Sequence, residues 1–176
     1  MDSQFERFET AFNRMTLFFA ALVAISIGLI AFLIPLNLVM IRLQLGGIWW
    51  LFEGIEYALF AGVFLGAPWV LQQNAHVKVD VLVSALPKAA AAQLERILNI
   101  IAIVLCLFLC FYGVRATIAE YIDGTMPDKD LRIANWIVLS IYAFSFLMLA
   151  VEFALRLRRS KDTLMARESA VAESGF

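Results

Sequence analysis

Two carboxylates interrupt an otherwise apolar stretch: Glu53 and Glu56, within Trp49-Trp50-Leu51-Phe52-Glu53-Gly54-Ile55-Glu56-Tyr57. Ionisable groups in a membrane-spanning helix are expensive, so they mark ion or proton pathways or are paired. One chemistry is a proton- or cation-coupled site. The other is structural or subunit-interface pairing. Both acids fall in the first turns of their helix, where the backbone dipole favours negative charge. Arg42 and Arg115 lie at a similar depth to pair with them. That placement favours pairing. His76 is the only histidine, which excludes haem held between two histidines of one chain. It falls in a loop away from both cysteines, so a capping or interface role is expected. Cys106 and Cys110 share a helix face at i, i+4. Two thiols fall short of the four ligands of a structural zinc, and cysteine packs well as a small apolar residue. Neither has a loop partner for a disulfide. No phosphate-cradling G-x-x-x-x-G-K-[ST], no G-x-S-x-G and no H-E-x-x-H occurs, so the sequence supports neither nucleotide hydrolysis nor the common hydrolases. No enzyme activity, cofactor or metal is expected.

The elements that carry these residues follow from hydropathy. The chain is 62% hydrophobic with a mean hydropathy of +0.84, well above the roughly 45–50% apolar content of soluble domains. A spanning helix needs about 20 predominantly apolar residues. Spans are predicted at 15–41, 49–71, 97–114 and 133–151, giving an all-α integral membrane protein with four transmembrane helices. The first run is too long for a cleavable signal peptide, whose apolar core is about 7–15 residues. Pro35 and Pro68 each remove a helical amide and should bend their helices. Trp49, Trp50 and Trp136 at one face and Trp69 at the other form the expected aromatic belts.

Lysine and arginine placement sets the orientation. Arg7, Arg14, Lys78, Lys88, Arg96, Arg156, Arg158, Arg159, Lys161 and Arg167 fall on one side, ten in all; Arg42, Arg115, Lys129 and Arg132 fall on the other. Both termini are therefore predicted to be cytoplasmic. The outer loop between the third and fourth spans is acidic, with Glu120, Asp123, Asp128 and Asp130. A net charge of −1 gives no reason to expect nucleic acid as a partner, whereas membrane lipid is an obligatory one.

Outside the spans, Phe5, Phe8 and Phe12 recur at helical spacing among charged residues, so 1–14 reads as an amphipathic helix in the inner interface. Residues 73–84 alternate apolar and polar, but a lone strand there would leave its backbone unpaired. A short interfacial helix or turn is expected instead. Pro87 then opens a new helix, so the third helix should project beyond the bilayer. The fourth should end near 152. Residues 153–176 form a polar cytoplasmic tail, expected to be disordered after Ser160.

From Gly66 the sequence reads Gly-Ala-Pro-Trp-Val-Leu-Gln-Gln-Asn-Ala-His76-Val-Lys-Val-Asp80. This resembles the small membrane subunit of tripartite ATP-independent periplasmic (TRAP) transporters, the DctQ-like family. Gly66, His76 and Asp80 match that family's spacing of a glycine late in helix two, a histidine ten residues on and an acid four later. Leu86-Pro87 matches downstream, Trp50 and Glu53 resemble its outer tryptophan and acids, and Gly124-Thr125 and Trp136 fit loosely. Two departures stand out. Gln72 and Gln73 occupy a place where the family often has a basic residue, and Glu56 occupies another.

The resemblance implies a scaffold for a much larger membrane subunit that carries the substrate and sodium sites and moves as an elevator. A periplasmic binding protein would deliver the substrate, typically an organic acid, and the acidic outer loop offers it a docking face. Two other classes compete. A self-sufficient homo-oligomeric transporter would use Glu53 or Glu56 for proton coupling, but coupling sites are expected near the midplane. A quinone-coupled thiol enzyme would need loop cysteines, which this sequence lacks.

Overall fold

The computed structural model describes residues 2–73, 88–129 and 131–173, with the side chains of 2–5, 88–89, 91–92 and 160–173 left undescribed. The described residues form four long helices: α1 (Asp2–Arg42), α2 (Leu51–Gln72), α3 (Lys88–Asp123) and α4 (Asn135–Glu173). Each contains a stretch long and apolar enough to cross a membrane, and no strand occurs among the described residues. The predicted all-α, four-span architecture is therefore present.

Three helices are longer than their apolar runs. At about 1.5 Å per residue, α1, α3 and α4 are each roughly 54–62 Å long, against a hydrocarbon thickness of about 30 Å. α3 starts at Lys88, in line with the expected projection beyond the bilayer. α1 begins at Asp2 and passes through Arg14 and Pro35 without interruption. The segment expected as an N-terminal interfacial helix is thus continuous with the first span. Its Phe12 is buried against Met148 and Leu155 of α4. The tail expected to be disordered continues α4 to Glu173. No glycine or proline occurs between Phe153 and Glu173, and the segment is rich in Ala, Leu, Arg, Lys, Met and Glu, which are good helix formers.

The turns are set by local chemistry. α3 stops where Gly124 adopts φ +62° and donates its amide to Glu120 O at 3.1 Å, a left-handed glycine stop. Between α1 and α2, Gln44 and Gly46 have φ of 56° and 88°. The buried Asn37 accepts the Ile48 amide at 2.7 Å, so a polar group inside α1 is satisfied by the loop that follows it.

The main helix seams run in a row, α1 on α2, α2 on α4 and α4 on α3; α1 also touches α4, through Phe12 against Met148 and Leu155 and Phe19 edge-on to Phe144. The α1–α2 contact uses small residues. Gly62 and Gly66 stand four apart on α2, and a Cβ on either would meet the Val23 methyls at 3.4 and 4.0 Å. Such small-residue seams let backbones approach in lipid, where van der Waals packing drives association. The α2–α4 contact is held by the Ser145 hydroxyl donating to Phe64 O and by Phe64 edge-on to Tyr142 at 5.3 Å. The α3–α4 contact is closest at Gly113, where a Cβ would come within 2.9 Å of Tyr142 Cδ1 and 3.1 Å of the Ala143 methyl.

Candidate functional site

Polar side chains gather at the two ends of the row. At the end with the α1–α2 and α3–α4 turns, Glu53 Oε2 accepts the Leu131 amide at 2.5 Å. One turn later, Glu56 Oε2 pairs with Lys129 Nζ at 2.7 Å. The same ammonium lies 5.2 Å from the centre of the Tyr57 ring, within cation–π range. The hydrogen bond from Glu56 holds Lys129 above the ordinary lysine range, against a smaller opposing effect of desolvation. A raised lysine pKa contributes stability below its unfolded value and loses it only as pH climbs through the folded one. The clamp is therefore intact throughout the neutral range. On the other flank of the loop, Glu120 accepts from the Thr125 hydroxyl and from Asn135 Nδ2 at 3.3 Å.

The start of α2 and the end of α3 thus both grip the α3–α4 loop with carboxylates. From the sequence, Arg42 or Arg115 could pair with one of Glu53 and Glu56. Both arginines are exposed, and neither takes part in an ion pair among the described residues. Of the four loop acids, Asp123 and Asp128 are exposed and Glu120 is engaged in holding the loop. Asp130 lies outside the described residues.

The opposite end carries both termini. Glu152 of α4 is only 1% exposed. Gln72, the last residue of α2, donates Nε2 to Glu152 Oε2 at 2.8 Å and to Asn13 Oδ1 of α1 at 3.1 Å. The buried Thr16 hydroxyl lies 2.9 Å from Gln72 Oε1. Arg159 closes the group: its Nη2 is 2.5 Å from Glu9 and its Nη1 is 3.5 Å from Glu152. Arg156 reaches Glu95 of α3 at 3.5 Å. One network therefore ties the ends of α1, α2 and α4, with an adjacent pair joining α3. The sequence marked Gln72 only as a departure from a basic position and Glu152 only as the end of a span. Nothing in linear spacing brings residues 80 apart together.

Gly66 lies in the α1–α2 seam. His76 and Asp80, with Pro87, fall outside the described residues. Cys106 is buried, Cys110 is partly buried, and both are free thiols. No group of three or more His, Cys, Asp or Glu that could hold a metal occurs among the described residues. What the polar groups do is fasten helix ends to one another.

A protein-family model described as "Tripartite ATP-independent periplasmic transporters, DctQ component" matches residues 31–162. Neither a curated protein nor a solved structure gives a significant match.

Proposed function

Because this chain belongs to the DctQ component family of tripartite ATP-independent periplasmic transporters, and so to the inner-membrane part of a three-component transport system, we propose that it is the fixed, non-catalytic scaffold of that system. The family is a transporter component, not an enzyme family. In this reading the large membrane subunit carries the substrate and ion sites and performs the movement. This chain widens the stationary part around it. The observation that carries the proposal is where the polar groups go. Glu53, Glu56, Glu120, Gln72 and Glu152 all join helix ends or loops, and among the described residues α3 packs chiefly on α4, which leaves broad apolar faces for a membrane partner. A self-sufficient proton-coupled transporter would want its acids near the midplane, whereas Glu53 and Glu56 sit at one end and hold a loop.

The ten-to-four division of basic residues supports a periplasmic position for the loop end under the positive-inside rule. There the clamped α3–α4 loop would help dock the binding protein for organic-acid uptake. The fold test is a pull-down through a tag on the C-terminus after gentle solubilisation. A large polytopic protein at equal stoichiometry is expected; recovery of a homo-oligomer alone would overturn the scaffold reading. The docking test converts Glu120, Asp123, Asp128 and Asp130 to their amides. Charge steering raises association rates by about tenfold or more, so binding-protein-dependent uptake at low salt should fall by about that factor and lose its salt dependence. Glu120→Gln alone separates loop support from docking. If uptake and its salt dependence survive all four changes, the loop is not the docking face.

A further inference from the structure

Two cavities meet at the terminal end of the molecule. The first is an apolar groove of about 850 Å³ between α1 and α2, walled by Ala20, Ala24, Gly62 and Gly66 and bordered by Leu149 and Phe153 of α4. The second is a polar pocket of about 370 Å³ formed by Glu9, Asn13, Gln72, Gln73 and Arg159. Leu17 and Trp69 line both, so the groove opens directly into the pocket. From the shared geometry we infer that together they bind one phospholipid whose headgroup carries a primary ammonium beside its phosphate, as in phosphatidylethanolamine. This inference rests on the membrane-spanning fold and not on the transport function.

Groove length and charge both select this occupant. Along α1 the groove runs from Leu17 to Ile27, ten residues or about 15 Å of helix rise. That is one leaflet of a hydrocarbon core about 30 Å thick. A partner helix would need a groove running on past that depth, whereas an acyl chain ends there. Trp69, shared by groove and pocket, sits where amphipathic rings favour the headgroup level.

The pocket holds a carboxylate and a guanidinium side by side, Glu9 and Arg159, with their charged atoms 2.5 Å apart. A headgroup with both charges can meet both: its phosphate lies towards Arg159, and its ammonium towards Glu9. The oxygens of Asn13 and Gln72 add further acceptors. A primary ammonium has three N–H donors to give. Choline has none, and phosphatidylglycerol brings only the negative charge, which Glu9 opposes. Charge-assisted hydrogen bonds are the strong ones, so the selectivity should be marked.

The test uses the full chain in nanodiscs of equimolar phosphatidylethanolamine, phosphatidylcholine and phosphatidylglycerol, gently extracted and weighed by native mass spectrometry. One phosphatidylethanolamine should be retained in preference to either competitor by about tenfold, the worth of a single charge-assisted hydrogen bond. Glu9→Gln should erase that preference while lipid is still retained. Ala24→Leu, which fills the groove, should reduce retention of every lipid. Unchanged helix content by circular dichroism certifies both variants. Equal retention of the three lipids, insensitive to Glu9→Gln, would mean ordinary boundary lipid and overturn the site. Preference for phosphatidylglycerol would overturn the headgroup assignment. A cross-link from Ala24→Cys to another membrane protein in the native complex would show that a helix fills the groove, and would also overturn the proposal.

Discussion

Replacing Gln72 with leucine should cost about 2 kcal/mol of stability, more than an ordinary membrane hydrogen bond. Hydrogen bonds between membrane helices average about 0.6 kcal/mol because the separated helices find other partners. Gln72 differs in what it leaves behind. Its amide is 2.8 Å from Glu152, a carboxylate only 1% exposed, and the remaining cationic contact from Arg159 is long, at 3.5 Å. Bonds to charged groups are worth about 1.5–3 kcal/mol, and a stranded buried acceptor bears its full desolvation cost. Gln72 also holds Asn13 and Thr16, so its loss loosens α1 and α4 from α2 together. Glu152→Gln should cost less than about 1 kcal/mol, because an amide keeps an acceptor for Gln72 and carries no charge to strand. The double variant Gln72→Leu, Glu152→Leu should recover most of the loss, since replacing both partners with apolar groups is nearly neutral. Equilibrium unfolding in mixed micelles measures all three. Additive single costs with no recovery in the double variant would mean the two residues are not coupled.

Gly113→Leu should destabilise the α3–α4 contact by about 1–3 kcal/mol or more, the cost of overpacking a filled seam. A Cβ at this position already meets the Ala143 methyl at 3.1 Å and Tyr142 Cδ1 at 2.9 Å. The tyrosine ring can turn, but the alanine methyl moves only with its backbone. The two helices must therefore part. Because α3 packs chiefly on α4 among the described residues, little else there resists the movement. Hydrogen exchange should rise along α3 and stay unchanged in α1 and α2. Moving the methyl across the seam, in Gly113→Ala with Ala143→Gly, should restore protection. Uniform loosening of all four helices would contradict the idea that α3 is held from one side.

What could be read from the sequence divides along physical lines. Apolar runs located the spans because lipid demands about 20 apolar residues wherever a helix crosses. Hydropathy reports the solvent around a helix, not where the helix ends. So polarity alone reads 1–14 as an interfacial segment and 153–176 as a tail, whereas intrinsic propensity carries α1 back to Asp2 and α4 on to Glu173. Glu53 and Glu56 stood out as acids in an apolar run, yet their contacts, Leu131 and Lys129, lie more than 70 residues away. Gln72 was visible as an oddity and Glu152 as a boundary. Only the folded row makes them neighbours.

The row of helices has a consequence for the life of the subunit in the cell. A compact soluble chain of 19.7 kDa would expose about 8,600 Å² by the usual size scaling, whereas this chain exposes 12545 Å². Much of that surface faces lipid, and a large membrane subunit would cover part of it. Mass action then makes its persistence depend on the supply of that neighbour. Synthesised in excess, it is an orphan whose surplus quality control should remove, so its abundance is set by the scarcer companion and not by its own rate of synthesis.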